Sequence, residues 1–151
     1  RRGGEQAVGT FLVLQGPEVL RVPEAVDAIA KVPFVAVMAT HEGPELDRAT
    51  VVLPAALWAE TEGTFTNYQR RVQRLKAAVP APGDAQPRWQ LVAGVLQRLG
   101  APLGAATARE VFALVARATP DYGSLDYRAI GARGRALPSA EAAAPAQEAR
   151  A

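Results

Sequence analysis

Short unbroken apolar runs alternate with polar, helix-length connections in the first third of the chain. Phe11-Leu12-Val13-Leu14-Gln15 is closed by Gly16-Pro17, Phe34–Ala39 is apolar throughout, and Thr50-Val51-Val52-Leu53-Pro54 ends on a proline. Each reads as a strand with both faces apolar. Residues 23–31 lie between the first two and suit a helix, with Pro23 early, Glu24 in the first turn and Lys31 at the end. Strands of this kind joined through helices imply an α/β fold, a partial Rossmann-like parallel sheet with covering helices. No G-x-G-x-x-G turn follows the first strand, so dinucleotide binding by that fingerprint is unsupported.

The pattern then changes. Residues 68–76 have helical propensity, whereas Glu62-Gly63-Thr64-Phe65-Thr66-Asn67 reads as a turn entering an extended segment, and periodicity leaves both open. Pro80, Pro82 and Gly83 break the chain. Residues 87–99 carry Trp89, Val92, Leu96 and Leu99 at spacings of three and four, widened by Leu91 and Val95, between Pro87 and Gly100. That is an amphipathic helix. A second helix is expected over 108–118, introduced by the capping-box pattern Thr107-Ala108-Arg109-Glu110, with Val111, Phe112, Leu114 and Val115 as its apolar face. Turn signals occupy 119–137 around the anchors Leu125, Tyr127 and Ile130. From Pro138 the chain is rich in Ala, Pro, Glu and Gln, a composition that cannot offset its ordering entropy. The expected organisation is a flexible lead-in over 1–10, an α/β domain over 11–100, a helical extension over 101–137 and a disordered tail over 138–151. The start Arg1-Arg2-Gly3-Gly4 has the look of an excised piece.

Composition removes several chemistries. The chain has no cysteine, hence no disulfide, thiolate nucleophile or cysteine-ligated iron–sulfur cluster. Its one histidine, His41, makes a structural zinc site implausible, and nothing around Ser124 resembles a nucleophile elbow. The 17 basic and 15 acidic residues leave too small an excess to imply nucleic acid or a membrane surface, and no apolar run approaches the ~20 residues of a spanning helix. Trp58 and Trp89 are expected in the core, and His41 at the surface or an interface.

The most specific feature is the run Thr50-Val51-Val52-Leu53-Pro54-Ala55-Ala56, then Glu62-Gly63-Thr64-Phe65-Thr66-Asn67, then Arg70-Arg71-Val72-Gln73, then Pro82-Gly83-Asp84-Ala85-Gln86-Pro87-Arg88-Trp89. It resembles the molybdopterin oxidoreductase superfamily, whose members read ADVVLPAA, EKEGTFTN, ERRVQ and PPGEARPDW in that order. The resemblance covers roughly residues 11–100. From the residues alone, Gly63 permits a tight turn or close approach, and Thr64, Thr66 and Asn67 can hold a loop through backbone bonds. Arg70 and Arg71 suit carboxylates such as Glu60 and Glu62, or a phosphate. The simple reading is a locked scaffold; the sharper one is contact with a pyranopterin dinucleotide, with Gly63, Thr64, Asn67, Arg70 and Arg71 as vestigial-loop candidates.

Departures from the family pattern favour the scaffold. Gln15-Gly16-Pro17-Glu18 stands where cofactor-binding relatives have GxNP, Thr50 replaces an aspartate, and the loop after the second strand is acidic, with Glu42, Glu45 and Asp47. Such a surface repels an anionic dinucleotide. The resemblance therefore implies a non-catalytic part of the large iron–sulfur subunit of bacterial NADH-quinone oxidoreductase. In that reading the chain holds no cofactor and its clusters lie in a missing N-terminal part. Its partners are other subunits of the respiratory complex, with neither nucleic acid nor direct membrane insertion. It sits in the cytoplasm, peripheral to the inner membrane. The alternative is a fragment of a molybdenum-dependent formate dehydrogenase or nitrate reductase, whose loop at 62–71 helps hold a molybdopterin guanine dinucleotide. The expected continuation into a helix and tail, rather than a barrel-like domain, argues against that alternative.

Overall fold

A computed structural model describes residues 9–13, 22–123 and 125–138. The three apolar runs form a parallel sheet in the order β1-β2-β3, with β1 at Thr10–Val13, β2 at Phe34–Ala39 and β3 at Val51–Pro54. Helix α1, Pro23–Ile29, lies in the connection between β1 and β2. The α/β expectation holds, and β2 spans the whole of its apolar run. β2 is the central strand, and its Val37 and Met38 are fully buried. One core gathers Ile29, Val35, Val37 and Ala39, with Val32, Leu46 and Ala49 packed against it. The polar loop after β2 includes a 3-10 turn at Pro44–Arg48.

Residues 63–75 are not helical. They form an antiparallel hairpin of β4, Gly63–Thr66, and β5, Arg71–Leu75, and the two-residue β6, Arg135–Ala136, pairs with the outer side of β5. Helical propensity loses here because the hairpin has a third strand and a helix to pack on. Val72 on β5 is fully buried among Phe112, Ala116, Leu125, Tyr127, Ile130 and Leu137. Those residues come from α3, Ala108–Ala118, from the short α4, Tyr127–Ile130, and from the turns around them. Phe112 stacks edge-on against Tyr122 and at a tilt against Tyr127, with ring centroids 6.2 and 5.8 Å apart. The anchors Leu125, Tyr127 and Ile130 read from the turn-rich stretch are thus core residues.

The capping box of α3 forms as its spacing predicts. Thr107 Oγ1 accepts from the Glu110 N–H at 3.2 Å, and Glu110 Oε2 accepts from the N–H groups of Ala106 and Thr107 at 2.7 and 3.1 Å. These bonds, the Ala106 N–H first and Thr107 after it, hold the Glu110 carboxyl below its usual range against slight desolvation.

Helix α2, Arg88–Arg98, has the expected span but buries no residue, and Leu99 just beyond it is 74% exposed. Val51 and Val52 on β3 are likewise exposed, so the described residues cover both faces of the sheet at its central strand but not at this edge strand. Leu14–Arg21, including the Gln15–Glu18 motif, and the acidic and alanine-rich end from Ser139 onward lie outside the described residues, as do residues 1–8 of the lead-in. Among the described residues, no helix is long and apolar enough to cross a membrane.

Candidate functional site

Two concave regions flank the motif. The first lies at the carboxyl edge of the parallel sheet. Pro54 ends β3, and the chain then makes a tight crossing. The Ala55 N–H donates to the Ala39 carbonyl, the Ala56 N–H to the Gln86 carbonyl, and the Gln86 N–H back to the Pro54 carbonyl. Ala55 and Ala56 are buried by this crossing, which brings Pro82–Ala85 beside the ends of β2 and β3. The pocket there has a volume of about 320 Å³. Its polar lining is Thr40, His41, Glu42 and Asp84. His41 is exposed, and its Nδ1 lies 3.0 Å from Thr40 Oγ1. Among the described residues, two carboxylates and no lysine or arginine line this pocket, in keeping with the acidic character read from the loop.

The second is a groove of about 400 Å³ between β4, the 3-10 turn at Trp58–Glu60, and the starts of α2 and α3. Trp58, Phe65, Arg88, Trp89, Phe112 and Tyr122 are among its walls. The expectation that both tryptophans are core residues fails. Trp58 is 64% exposed and Trp89 only half-buried, because each stands on the groove wall rather than beneath it. The Arg88 Nε is sequestered from solvent with no hydrogen-bond partner.

All five candidate residues of the motif fall on the β4–β5 hairpin, but they serve different ends. Asn67 Oδ1 accepts from the Arg71 N–H at 2.9 Å, its N–H donates to the Arg71 carbonyl, and its carbonyl accepts from the Arg70 N–H. Asn67 is therefore spent on closing the turn. Arg70 occupies the left-handed region, φ 59°, a position that glycine usually fills in such hairpins. Its side chain makes the conformation worthwhile: Nη2 donates to Asp121 Oδ2 at 2.5 Å and Nε to the Pro138 carbonyl at 3.1 Å. Arg71 Nη1 donates to the Gly134 and Arg133 carbonyls. Neither arginine pairs with Glu60 or Glu62, the acids that sequence proximity suggests; Glu60 instead accepts from the Leu57 N–H at 2.9 Å. The real partners lie more than 50 positions downstream, beyond the reach of local pattern.

Gly63 and Thr64 face the groove. Gly63 has open space where a Cβ would sit and an ordinary strand φ, so no close approach requires glycine there. The glycine that packing does require is Gly134, φ 74°, where a Cβ would stand 2.6 Å from the Val72 carbonyl oxygen. Tyr122 was legible only as a turn residue, yet its hydroxyl is 2.7 Å from Thr66 Oγ1. Arg88 and Asp84 gave no local signal, since each acquires its role from elements remote in sequence. Tyr127 is held above its usual range by burial first and by the Glu62 charge second, opposed by Arg74, whose guanidinium lies 4.6 Å from the ring centroid. Among the described residues, no group of three or more His, Asp or Glu side chains converges as a metal site.

Comparison with known proteins decides the family. Residues 5–98 match the molybdopterin oxidoreductase family model. The chain belongs to the molybdopterin oxidoreductase family. It is 46% identical over 92 residues to the alpha subunit of F420-dependent formate dehydrogenase 2 of Methanococcus maripaludis, covering 60% of this chain and 14% of that protein. It is 32% identical over 125 residues to the alpha subunit of F420-dependent formate dehydrogenase of Methanocaldococcus jannaschii, covering 82% of this chain and 18% of that protein. A putative formate dehydrogenase of Bacillus subtilis is 42% identical over 82 residues, 54% of this chain and 8% of that protein. This molybdopterin oxidoreductase chain thus spans less than a fifth of the length of these relatives.

Proposed function

We propose that this chain is a segment of the large subunit of a molybdenum-dependent formate dehydrogenase, and that it seats one end of the dinucleotide cofactor at the carboxyl edge of the parallel sheet. The observation that carries the reading is the extent of the similarity to the Methanocaldococcus jannaschii alpha subunit. A contiguous match to 82% of 151 residues must contain roughly residues 28–124. It therefore includes both the hairpin and the helices α2 and α3, the very continuation that had argued against a molybdenum enzyme. This supports the formate dehydrogenase alternative over the NADH-quinone oxidoreductase reading.

The donor set at the carboxyl edge suits only part of such a cofactor. Open α/β sheets bind ligands at this edge. Carboxylates such as Asp84 and Glu42 can accept from the N1–H and N2–H groups of a guanine, while Thr40 and His41 suit ribose hydroxyls. A diphosphate finds no cation among the described residues of that lining and needs donors from outside them. Asn67, Arg70 and Arg71 act mainly as scaffold, with Asn67 Oδ1, Arg70 Nε and Nη2 and Arg71 Nη1 all bonded within the chain. The cofactor, when bound to the complete subunit, supplies the two-electron chemistry. The residues here bind and orient. With no cysteine, the chain contributes no iron–sulfur ligand, and any such cluster belongs to other segments.

The acidic edge also favours a second reading, the non-catalytic subunit of NADH-quinone oxidoreductase. One measurement separates the two. The polypeptide carrying this segment, purified from its source without oxygen, is assayed for molybdenum and for formate-dependent dye reduction. Molybdenum with formate oxidation is the expected result. NADH-dependent quinone reduction by a molybdenum-free complex would overturn the proposal and establish the second reading.

A further inference from the structure

The groove between β4, the Trp58 turn and the starts of α2 and α3 is poorly explained by this chain alone. Its mouth exposes two large aromatic side chains, Trp58 at 64% and Phe65 at 57%, together with Val115 on α3. Helix α2 forms one wall, yet its amphipathic stripe is only half-buried, with no residue fully covered. Contiguous apolar surface of this kind, as distinct from scattered residues, marks an interaction site. Its depth holds the Arg88 Nε, out of solvent and without an acceptor, which carries a free-energy cost unless something supplies one. The one acid of the described lining, Glu62, makes no ion pair with it.

We infer that this groove is occupied by another segment of the same larger subunit, one that brings an apolar side chain against Trp58, Phe65 and Trp89 and, beside it, a carboxylate to Arg88. Two facts select that occupant. The relatives are several times longer than this chain, so most of the polypeptide that would pack around it lies outside these residues. And the groove offers an apolar rim with a single unpartnered cation beneath it, a complement to an apolar residue neighbouring an acid. The inference rests on the chain being part of a longer subunit, as in the functional proposal, but not on which reaction that subunit performs.

Hydroxyl-radical footprinting read by mass spectrometry tests it, comparing the intact subunit with the 151-residue chain alone. In the chain alone, Trp58 and Phe65 oxidise quickly; in the intact subunit they oxidise as slowly as the buried Phe112 and Tyr127. Equal, fast oxidation in both overturns the inference. Protection in the isolated chain that grows with its concentration identifies a second copy as occupant and also overturns it. The acid partner is tested by Arg88→Glu, which is expected to restore fast oxidation of Trp58 in the intact subunit. It leaves the circular dichroism and Tm of the isolated chain unchanged, since Arg88 Nε has no partner there. Retained protection in that variant overturns the carboxylate assignment. A subunit that oxidises formate with an open groove sinks this inference and leaves the functional proposal standing; a covered groove in a subunit without formate activity does the reverse.

Discussion

The antiparallel unit of β4, β5, β6, α3 and α4 bonds its turn and arginine side chains within itself and leaves one buried polar atom, the Tyr127 hydroxyl, without a partner among the described residues, whereas the parallel sheet of β1, β2 and β3 keeps its edge strand exposed. In the former, Asn67 closes the turn onto Arg70 and Arg71, those arginines bond to Asp121 and to the carbonyls of Arg133, Gly134 and Pro138, and the core contains Phe112, Tyr127, Ile130 and Leu137. In the latter, the core is made of Ile29, Val35, Val37 and Ala39, while Val51 and Val52 of the edge strand face outward. The motif contributes β3 to the one and β4 and β5 to the other. The difference teaches that motif residues with the most conspicuous chemistry, the paired arginines, are here structural. The concave surfaces left open are the sheet's carboxyl edge and the groove beside α2, and those are where the proposals above place a cofactor and a packing segment.

The comparison breaks most readily at Phe112. Replacing it with Ala removes the ring that joins Tyr122 and Tyr127, and should cost about 3–5 kcal/mol, read from the denaturant midpoint. If the cost is no larger than for a surface change, the antiparallel unit is not the self-sufficient half. Arg70→Ala should cost about 1 kcal/mol, since both Arg70 and Asp121 keep about a third of their side-chain surface exposed and the pair is partly screened. Arg70→Gly loses the same bonds but relieves the positive φ, so it should unfold at a higher midpoint than Arg70→Ala. The reverse order would show that the turn is not held as described.

The α3 cap sharpens the contrast through pH. Because Glu110 is held below its usual carboxylate range in the folded chain, its contribution is present above the ordinary value of 4.5 and lost as pH falls through the depressed one. Glu110→Gln should therefore lower Tm at neutral pH and converge with the wild type in acid. A difference between the two that persisted unchanged at low pH would contradict this. The smallest effect belongs to the parallel sheet: Val52→Thr, at an exposed edge position, should shift stability of the isolated chain by under about 0.5 kcal/mol. A markedly larger loss would mean that this face is packed against something within the chain.

Much of the architecture was legible. Apolar runs bounded by Gly-Pro or Pro announced β1, β2 and β3, and the Thr107–Glu110 spacing announced the start of α3. The β4–β5 hairpin was ambiguous because its turn uses an arginine in the left-handed region, where the usual signal is Asn-Gly. The core placement of Trp89 on α2 was overread: amphipathic periodicity shows which face seeks cover, but not how far the described residues supply it. For the site, the motif located the hairpin correctly but could not show that Asp121 and Pro138 absorb Arg70, nor that Arg88 lacks an acceptor. Those facts depend on contacts between distant positions.

The placement of the two indoles has an optical consequence. Trp58 and Trp89 are the chain's only tryptophans, and both border the groove. Emission excited at the red edge of protein absorbance consequently originates at one address, with no tryptophan background from the folded cores. A blue shift of that emission reports the drying of the groove, and quenching by iodide reports its reopening, without any label being attached.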